Sequence, residues 1–98
     1  MRIIQDPRVE QELNKLAPGD QSKVKEYVEL FKEFGFGLTA KYLKKINRHV
    51  WELRPGKWRL FLLQLNPDFI VIYFMRKQSQ KVTKKTIKII EHRTKEYL

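Results

Sequence analysis

The chain has 98 residues, of which 42% are hydrophobic and 12% aromatic, and we expect them to form one domain spanning 1–98. It has no cysteine, and its two histidines, His49 and His92, lie far apart, which excludes disulfides and thiolate catalysis and argues against a bound metal or other cofactor. The formal net charge of +10 predicts a polyanionic partner, with nucleic acid as the leading class and a merely solvated basic surface as the alternative.

No segment of the sequence has the pattern of a membrane anchor. A bilayer span needs roughly 20 consecutive apolar residues, and no run approaches that length. The N-terminal letters "MRIIQDPRVEQEL" turn acidic and polar before the apolar region of a signal peptide could develop. We therefore predict a cytoplasmic protein that does not associate with membranes.

The N-terminal part predicts a short strand followed by two helices. "RIIQ" has the character of a strand, and Asp6 followed by Pro7 is typical of an N-cap and the first helical position. "APGD" predicts a turn, after which a second helix begins near Gln21 and ends at Gly35. Short-linked helices of this kind favour an antiparallel pair. The apolar positions at helical spacing are Val9, Leu13 and Leu16 in the first helix, and Val24, Tyr27, Val28, Phe31 and Phe34 in the second.

The segment "GLTAKYLKKIN" joins the helices to the second half of the chain. Its apolar residues Ala40, Leu43 and Ile46 recur at helical spacing, and its lysines fall between them. This pattern predicts a short helical connector.

From residue 50 the pattern changes to that of an antiparallel meander. "VWELR", "WRLFLLQL" and "FIVIYFM" predict three strands, joined by turns at "PGK" and "NPD". Both parities of the last two strands are apolar, which predicts a sheet covered on both faces, with helices on more than one side. Thr83 can cap a final basic helix from about Lys84 to Leu98. The predicted fold class is α+β: an N-terminal helix pair on an antiparallel sheet of three to four strands, with a C-terminal basic helix.

Cations from distant parts of the sequence are predicted to meet at one end of this sheet. Arg54 and Lys57 flank the first turn, Arg59 lies one residue into the second strand, and Arg76 and Lys77 end the third. In a meander the second strand starts where the first and third strands end. We therefore expect these five side chains to lie close together.

Such a cluster is suited to binding a phosphodiester and, in RNA, to cleaving it. Arginine grips paired phosphate oxygens and stabilises the extra negative charge of the transition state, while lysine acts as a point charge. The base that deprotonates the 2′-hydroxyl is open: a lysine with a lowered pKa, a tyrosine, a solitary histidine or a glutamate, or no base at all if positioning and charge suffice. The predicted catalytic residues are Arg59, Arg76, Lys77 and Lys81, and the predicted RNA-binding residues are Arg54, Lys57, Trp58, Gln78, Gln80 and Lys84.

Several of these residues also have a purely structural explanation. Arg54 can form an ion pair on the strand, and Trp58 and Tyr73 can pack in the core. Lys77 and Lys81 can simply keep the surface soluble.

The C-terminal half resembles a known family. Trp51-Glu52-Leu53-Arg54 and Gly56-Lys57-Trp58-Arg59 fit, in order and spacing, the RelE/ParE toxin superfamily, and most closely its HigB-like, phage-derived Gp49-like branch. The basic segment after the third strand also follows the family pattern, with Tyr73 where histidine is common, Gln78 in place of a lysine and Thr83 in place of a proline.

The resemblance implies a RelE-like fold and the toxin half of a type II toxin-antitoxin system. It implies a metal-independent, ribosome-dependent endoribonuclease that cleaves mRNA in the ribosomal A site, contacts rRNA and so inhibits translation. A cognate antitoxin would neutralise it, and the free toxin is expected to be a monomer that enters a higher-order complex with that antitoxin. A ParE-like inhibitor of DNA gyrase and a non-catalytic nucleic-acid-binding module are the alternatives.

Overall fold

The computed structural model describes residues 1–77 and 81–98. Within these ranges the chain forms a five-stranded sheet and three α-helices. The elements in chain order are β1 (Ile3–Gln5), α1 (Pro7–Leu13), α2 (Pro18–Phe34), a 3₁₀ helix (Gly35–Gly37), β2 (Leu43–Lys45), β3 (Val50–Leu53), β4 (Trp58–Gln64), β5 (Phe69–Arg76) and α3 (Lys84–Tyr97).

The sheet is larger than predicted and is mixed. Its strand order is β1-β5-β4-β3-β2, with β1 parallel to β5 and every other pair antiparallel. The meander β3-β4-β5 agrees with the sequence prediction, and β1 adds to the outer edge of β5, where Ile3 lies opposite Phe69. The prediction of three to four antiparallel strands was wrong in number and direction, because periodicity identifies a strand without showing what it pairs with.

The predicted helical connector is instead partly a strand. Leu43–Lys45 form β2, in which Lys44 lies opposite Glu52 of β3. Pairing with β3 gives hydrogen-bond partners to backbone N–H and C=O groups that a short isolated helix would leave unpaired. Leu43 is still buried in the core. Tertiary pairing thus overrides a helical spacing that extends over only three apolar residues.

The two N-terminal helices begin and end at residues that suit them. Asp6 caps α1 by accepting a hydrogen bond from the Arg8 backbone N–H at 2.8 Å. The second helix begins at Pro18, three residues earlier than predicted, because proline is well suited to the first helical turn. It ends at Gly35, whose φ of +53° is a conformation that glycine adopts without strain.

Both faces of the sheet are covered, as the apolar strands predicted. The first face, here called the helix-pair face, packs against α1 and α2 and includes Leu60, Leu62 and Val71. The other, here called the α3 face, packs against α3 and includes Phe61, Leu63 and Ile72. An irregularity between Phe61 and Leu62 in the β4-β5 register places Ile72 and Tyr73 on the same α3 face.

A buried carboxylate joins the two ends of the chain. Asp6 is almost fully buried and accepts hydrogen bonds from the Arg8 side chain, at 2.9 and 2.8 Å, and from the Tyr97 hydroxyl. Arg8 also pairs with Glu96, which ties the start of α1 to the end of α3. Hydrogen bonds from Arg8 hold the pKa of Asp6 well below its usual range, although burial opposes the shift. Burial, together with the bond to Asp6, raises the pKa of Tyr97.

None of the helices in 1–77 and 81–98 combines the length and apolar character that crossing a bilayer requires.

The Asp6 network predicts a pH-dependent contribution to stability. Because the pKa of Asp6 is lowered by folding, its contribution is present above about pH 4 and is lost as the pH falls toward the folded value. Asp6→Asn keeps a capping oxygen but removes the charge, and we expect it to lower the free energy of unfolding by about 2 kcal/mol at pH 7. Urea denaturation at pH 7 and pH 3 measures this.

We expect the difference in free energy of unfolding between wild type and Asp6→Asn to be smaller at pH 3 than at pH 7 by about 1 kcal/mol. Glu26→Gln, which changes an exposed carboxylate on α2, serves as the control and should show neither effect. An equal difference at both pH values would contradict the assigned role of the Asp6 charge.

Candidate nucleic-acid interface

The structure brings the five predicted cations to one end of the sheet. Trp58 at the start of β4 lies opposite Arg76 at the end of β5, and the Lys77 backbone N–H donates to the Lys57 carbonyl at 2.6 Å. Arg54 directly follows β3. We call this end the cationic edge, and it consists of Arg54, Lys57, Arg59, Arg76 and Lys77.

A single buried carboxylate lies within the cationic edge. Glu52 is fully buried, and its two oxygens accept hydrogen bonds from Arg54 at 3.0 Å and from Arg59 at 2.7 Å. Two guanidinium groups therefore share one negative charge and keep an excess of positive charge. Sequence reasoning missed this role of Glu52. The available signal was its parity, since alternation from the apolar Val50 places Glu52 on a covered face.

The two arginines bound to Glu52 differ in accessibility. The Arg59 side chain is only 3% exposed, whereas that of Arg54 is 25% exposed. Arg59 therefore lies at the predicted position but under the surface, on the α3 face beside Met75, its partner in the β4-β5 register. Its charge contributes to the local field, while Arg54 is available for direct contact.

The other predicted cations are exposed and surround the start of α3. Arg76, Lys77, Lys81 and Lys84 all have exposed side chains. The Thr86 hydroxyl lies 3.4 Å from the Met75 sulfur, which fixes the first turn of α3 against the end of β5. The N-terminal end of a helix carries partial positive charge, so α3 strengthens the positive field here. Gln78 and Gln80, also predicted to bind RNA, lie outside the described residues.

Lys57 and Trp58 occupy the helix-pair side of the cationic edge. Lys57 lies 3.5 Å from Asp20 of α2 and 5.9 Å from the centre of the Trp58 ring. Trp58 is half-buried and packs against Phe74, with ring centres 5.8 Å apart. Its indole N–H has no hydrogen-bond partner among the residues the structure describes. Trp58 thus packs against the core of the helix-pair face with part of its ring, and the rest is exposed.

Neither histidine belongs to the cationic edge. His49 precedes β3 and accepts a backbone hydrogen bond from Gln64, so it lies at the opposite end of the sheet. His92 lies 3.5 Å from Glu96, near the end of α3. Across 1–77 and 81–98 no cluster of histidine, aspartate or glutamate is suited to holding a metal ion. The chemistry on offer at this edge is therefore that of lysine and arginine beside a buried glutamate.

The fold and this edge define a small, basic α+β protein with cations gathered at one end of its sheet. The chain belongs to the family described as Phage derived protein Gp49-like (DUF891), whose profile matches residues 11–95. That family is part of the RelE/HigB-like group of toxins. No curated protein matches the chain. The matched range includes Glu52 and the entire cationic edge but not β1 or Asp6.

Glu52 is predicted to be essential to the local structure. Glu52→Gln would leave two neighbouring guanidinium groups without their shared carboxylate, one of them buried. We expect this change to lower the free energy of unfolding by about 3 kcal/mol. Chemical denaturation measures it, with Glu33→Gln, a change at an exposed position of α2, as the control.

Adding Arg59→Met to Glu52→Gln removes the buried charge as well, and we expect the double variant to recover part of the lost stability. Additive losses in the double variant would show that the ion pair is not the source of the effect.

Proposed function

We propose that this protein is the toxin of a type II toxin-antitoxin system, of the HigB-like branch, and that it cleaves mRNA on the ribosome and so inhibits translation. Membership of a toxin-like phage-derived family supports the first part. The observation that carries the second is the cationic edge, where exposed Arg76 and Lys77 accompany the arginines held by Glu52, and exposed Lys81 lies between that edge and α3 in the sequence. A phosphodiester placed here would meet several positive charges at once.

In this proposal the exposed cations act directly on the scissile phosphate. Arg76 donates to two phosphate oxygens, and Lys77 and Lys81 neutralise the charge that develops as the phosphorus becomes five-coordinate. Arg59 is a positioning residue, since Glu52 holds its guanidinium beneath the surface. Lys57, Lys84 and Arg54 hold flanking phosphates, the exposed part of Trp58 is available to a base, and Gln78 and Gln80 keep their predicted role in RNA binding.

The proposed reaction is an internal transfer within the RNA. The 2′-hydroxyl oxygen attacks the adjacent phosphorus, the bond to the 5′-oxygen breaks, and a 2′,3′-cyclic phosphate and a 5′-hydroxyl result. A proton leaves the 2′-oxygen and another reaches the 5′-oxygen. Alignment of the attacking oxygen with the leaving oxygen supplies much of the acceleration in reactions of this kind. The ribosome would provide that alignment by holding mRNA in its A site, which accounts for dependence on the ribosome.

The partners in this proposal follow from charge. The net charge of +10 and the lysine-rich exposed surface of α3 favour attraction to rRNA. The antitoxin that this toxin-like family implies would present an acidic segment, either across the cationic edge or around α1 and α2. An acidic small open reading frame beside the gene is the expected genetic arrangement, and its absence would count against the antitoxin proposal.

Removal of the exposed cations tests the nuclease proposal. We expect Arg76→Ala combined with Lys81→Ala to reduce mRNA cleavage on programmed ribosomes by at least about a hundredfold, because in the proposed mechanism both cations stabilise negative charge on the scissile phosphate. We also expect the double variant to relieve growth arrest. Both side chains are exposed, so the fold should survive. Arg59→Ala is a poorer test, because it leaves the buried Glu52 carboxylate with one fewer arginine.

The matched control is Arg48→Ala combined with Lys15→Ala, which removes the same charges from exposed positions outside the cationic edge and outside α3. We expect this variant to cleave like wild type. A parallel gyrase supercoiling assay covers the ParE-like alternative. Unchanged cleavage by Arg76→Ala with Lys81→Ala, or gyrase inhibition without any cleavage by wild type, would overturn the nuclease proposal.

A further inference from the structure

Two neighbouring tyrosines, each with a lysine over its ring, adjoin the cationic edge on the helix-pair side. The Arg54 backbone N–H donates to the Tyr42 carbonyl at 2.9 Å, so Tyr42 lies directly beside this edge. The Tyr27 ring of α2 meets the Tyr42 ring edge-on, with ring centres 5.8 Å apart. Lys41 lies 5.5 Å from the centre of the Tyr42 ring, and Lys23 lies 5.3 Å from that of Tyr27. We call Lys23, Tyr27, Lys41 and Tyr42 the tyrosine-lysine row.

The row also connects to the turn between β3 and β4. The side chain of Lys23 passes 3.7 Å from where a Cβ atom on Gly56 would lie. One helical turn before it, Asp20 lies 3.5 Å from Lys57. One face of α2 therefore runs from the cationic edge toward Tyr42, and its cations and rings form one continuous surface. Asp20 places a carboxylate on this path, and Lys57 offsets its charge.

The rings in this row differ in how much they contribute to the core. Tyr27 packs against the cluster of the helix-pair face, but Tyr42 belongs to neither of the two hydrophobic clusters. Tyr42 is nevertheless only half-exposed, because Tyr27 lies at its edge and Lys41 over its face. A flexible lysine over an exposed ring is held more weakly than a base that stacks on it, so a base can displace the ammonium group.

We propose that the tyrosine-lysine row binds single-stranded RNA next to the segment held at the cationic edge, with a base stacked on Tyr42 and phosphates on Lys41 and Lys23. This inference rests on the proposed function in assuming that RNA occupies the cationic edge. Adjacent rings flanked by cations fit single-stranded nucleic acid better than an acidic protein, because every base offers a face for stacking whereas a carboxylate does not. The row would thereby lengthen the contacted RNA without reading its sequence.

The test compares the binding of short and long RNA. Fluorescence anisotropy would use 2′-O-methyl oligonucleotides, which lack the attacking hydroxyl, of about 4 and about 12 nucleotides. We expect Tyr42→Ala to weaken binding of the longer oligonucleotide about tenfold and to leave the shorter one unchanged. Tyr42→Phe keeps the ring and should bind like wild type.

Lysine variants report on the phosphates separately. We expect Lys23→Ala combined with Lys41→Ala to reduce the salt dependence of binding, measured as the slope of log K against log salt, by about 0.7 for each lysine. The matched control is Lys25→Ala, an exposed lysine on α2 that faces the groove beside Ile3 and Val28 instead of the row. This control should leave affinity and slope unchanged.

The outcomes separate this inference from the nuclease proposal. Suppose that wild type cleaves mRNA on ribosomes, and that wild type, Tyr42→Ala and Lys25→Ala bind RNA equally. This result would overturn the RNA-binding role of the tyrosine-lysine row and leave the nuclease proposal standing. If RNA binding depends on Tyr42 but wild type cleaves no mRNA on ribosomes, the nuclease proposal is overturned and the RNA-binding role of the tyrosine-lysine row stands. A poly-glutamate peptide that binds with the same dependence on Tyr42 would overturn the assignment to RNA in favour of an acidic protein.

Discussion

The sheet carries apolar residues on both faces, and this constraint governs where the protein can expose its charged groups. Leu60 and Leu62 of β4 face the helix pair, while Phe61 and Leu63 face α3. Burying both sets requires helices on both sides, which leaves neither face of the central strands open to a ligand. The exposed parts of β4 and β5 are their ends. A polyanion could therefore contact these two strands only at their ends, and the cationic edge lies at one of them.

The buried Glu52 ion pairs show that clustered arginines in so small a domain need a counter-charge. Arginines brought close together repel one another, and burying one of them without a counter-charge is costly. A carboxylate on the neighbouring strand reduces this repulsion without cancelling the positive field, because it is shared by both guanidinium groups. The same arrangement fixes Arg59 below the surface, whereas Arg54 is partly exposed and Arg76 and Lys77 are exposed. The buried members of the cluster, Glu52 and Arg59, therefore stabilise the fold, and its exposed members present positive charge to solvent.

A hydrogen-bond network around Asp6 joins the N-terminal and C-terminal ends of the chain. Asp6 follows β1 and caps α1, and its carboxylate also receives the hydroxyl of Tyr97 at the end of α3. The two helical layers lie on opposite faces of the sheet, so this network links them around its edge. It lies apart from the cationic edge, and the family match does not reach Asp6. The network joins the two ends of the chain, while the matched region carries the proposed site.

Local sequence determined much of this protein. Period-two apolar runs identified β3, β4 and β5, Asp6-Pro7 and Thr83 marked two helix starts, and the antiparallel meander by itself placed Arg54, Arg59 and Arg76 at one end of the sheet. Each of these follows from spacing along one segment, or from the alternating direction of successive strands. The residues of the cationic edge could therefore be located before the structure was known.

Only the tertiary structure decided what those residues touch. The pairing of β1 and β2, the burial of Arg59 against Glu52 and the meeting of Tyr27 with Tyr42 all depend on groups far apart in sequence. The spacing of apolar residues around Leu43 predicted a helix, yet this segment pairs with the edge of β3 and forms a strand. A sequence records which chemical groups are present and at what interval. Whether an arginine faces solvent or a carboxylate is settled by packing, because burial depends on what arrives from elsewhere in the chain.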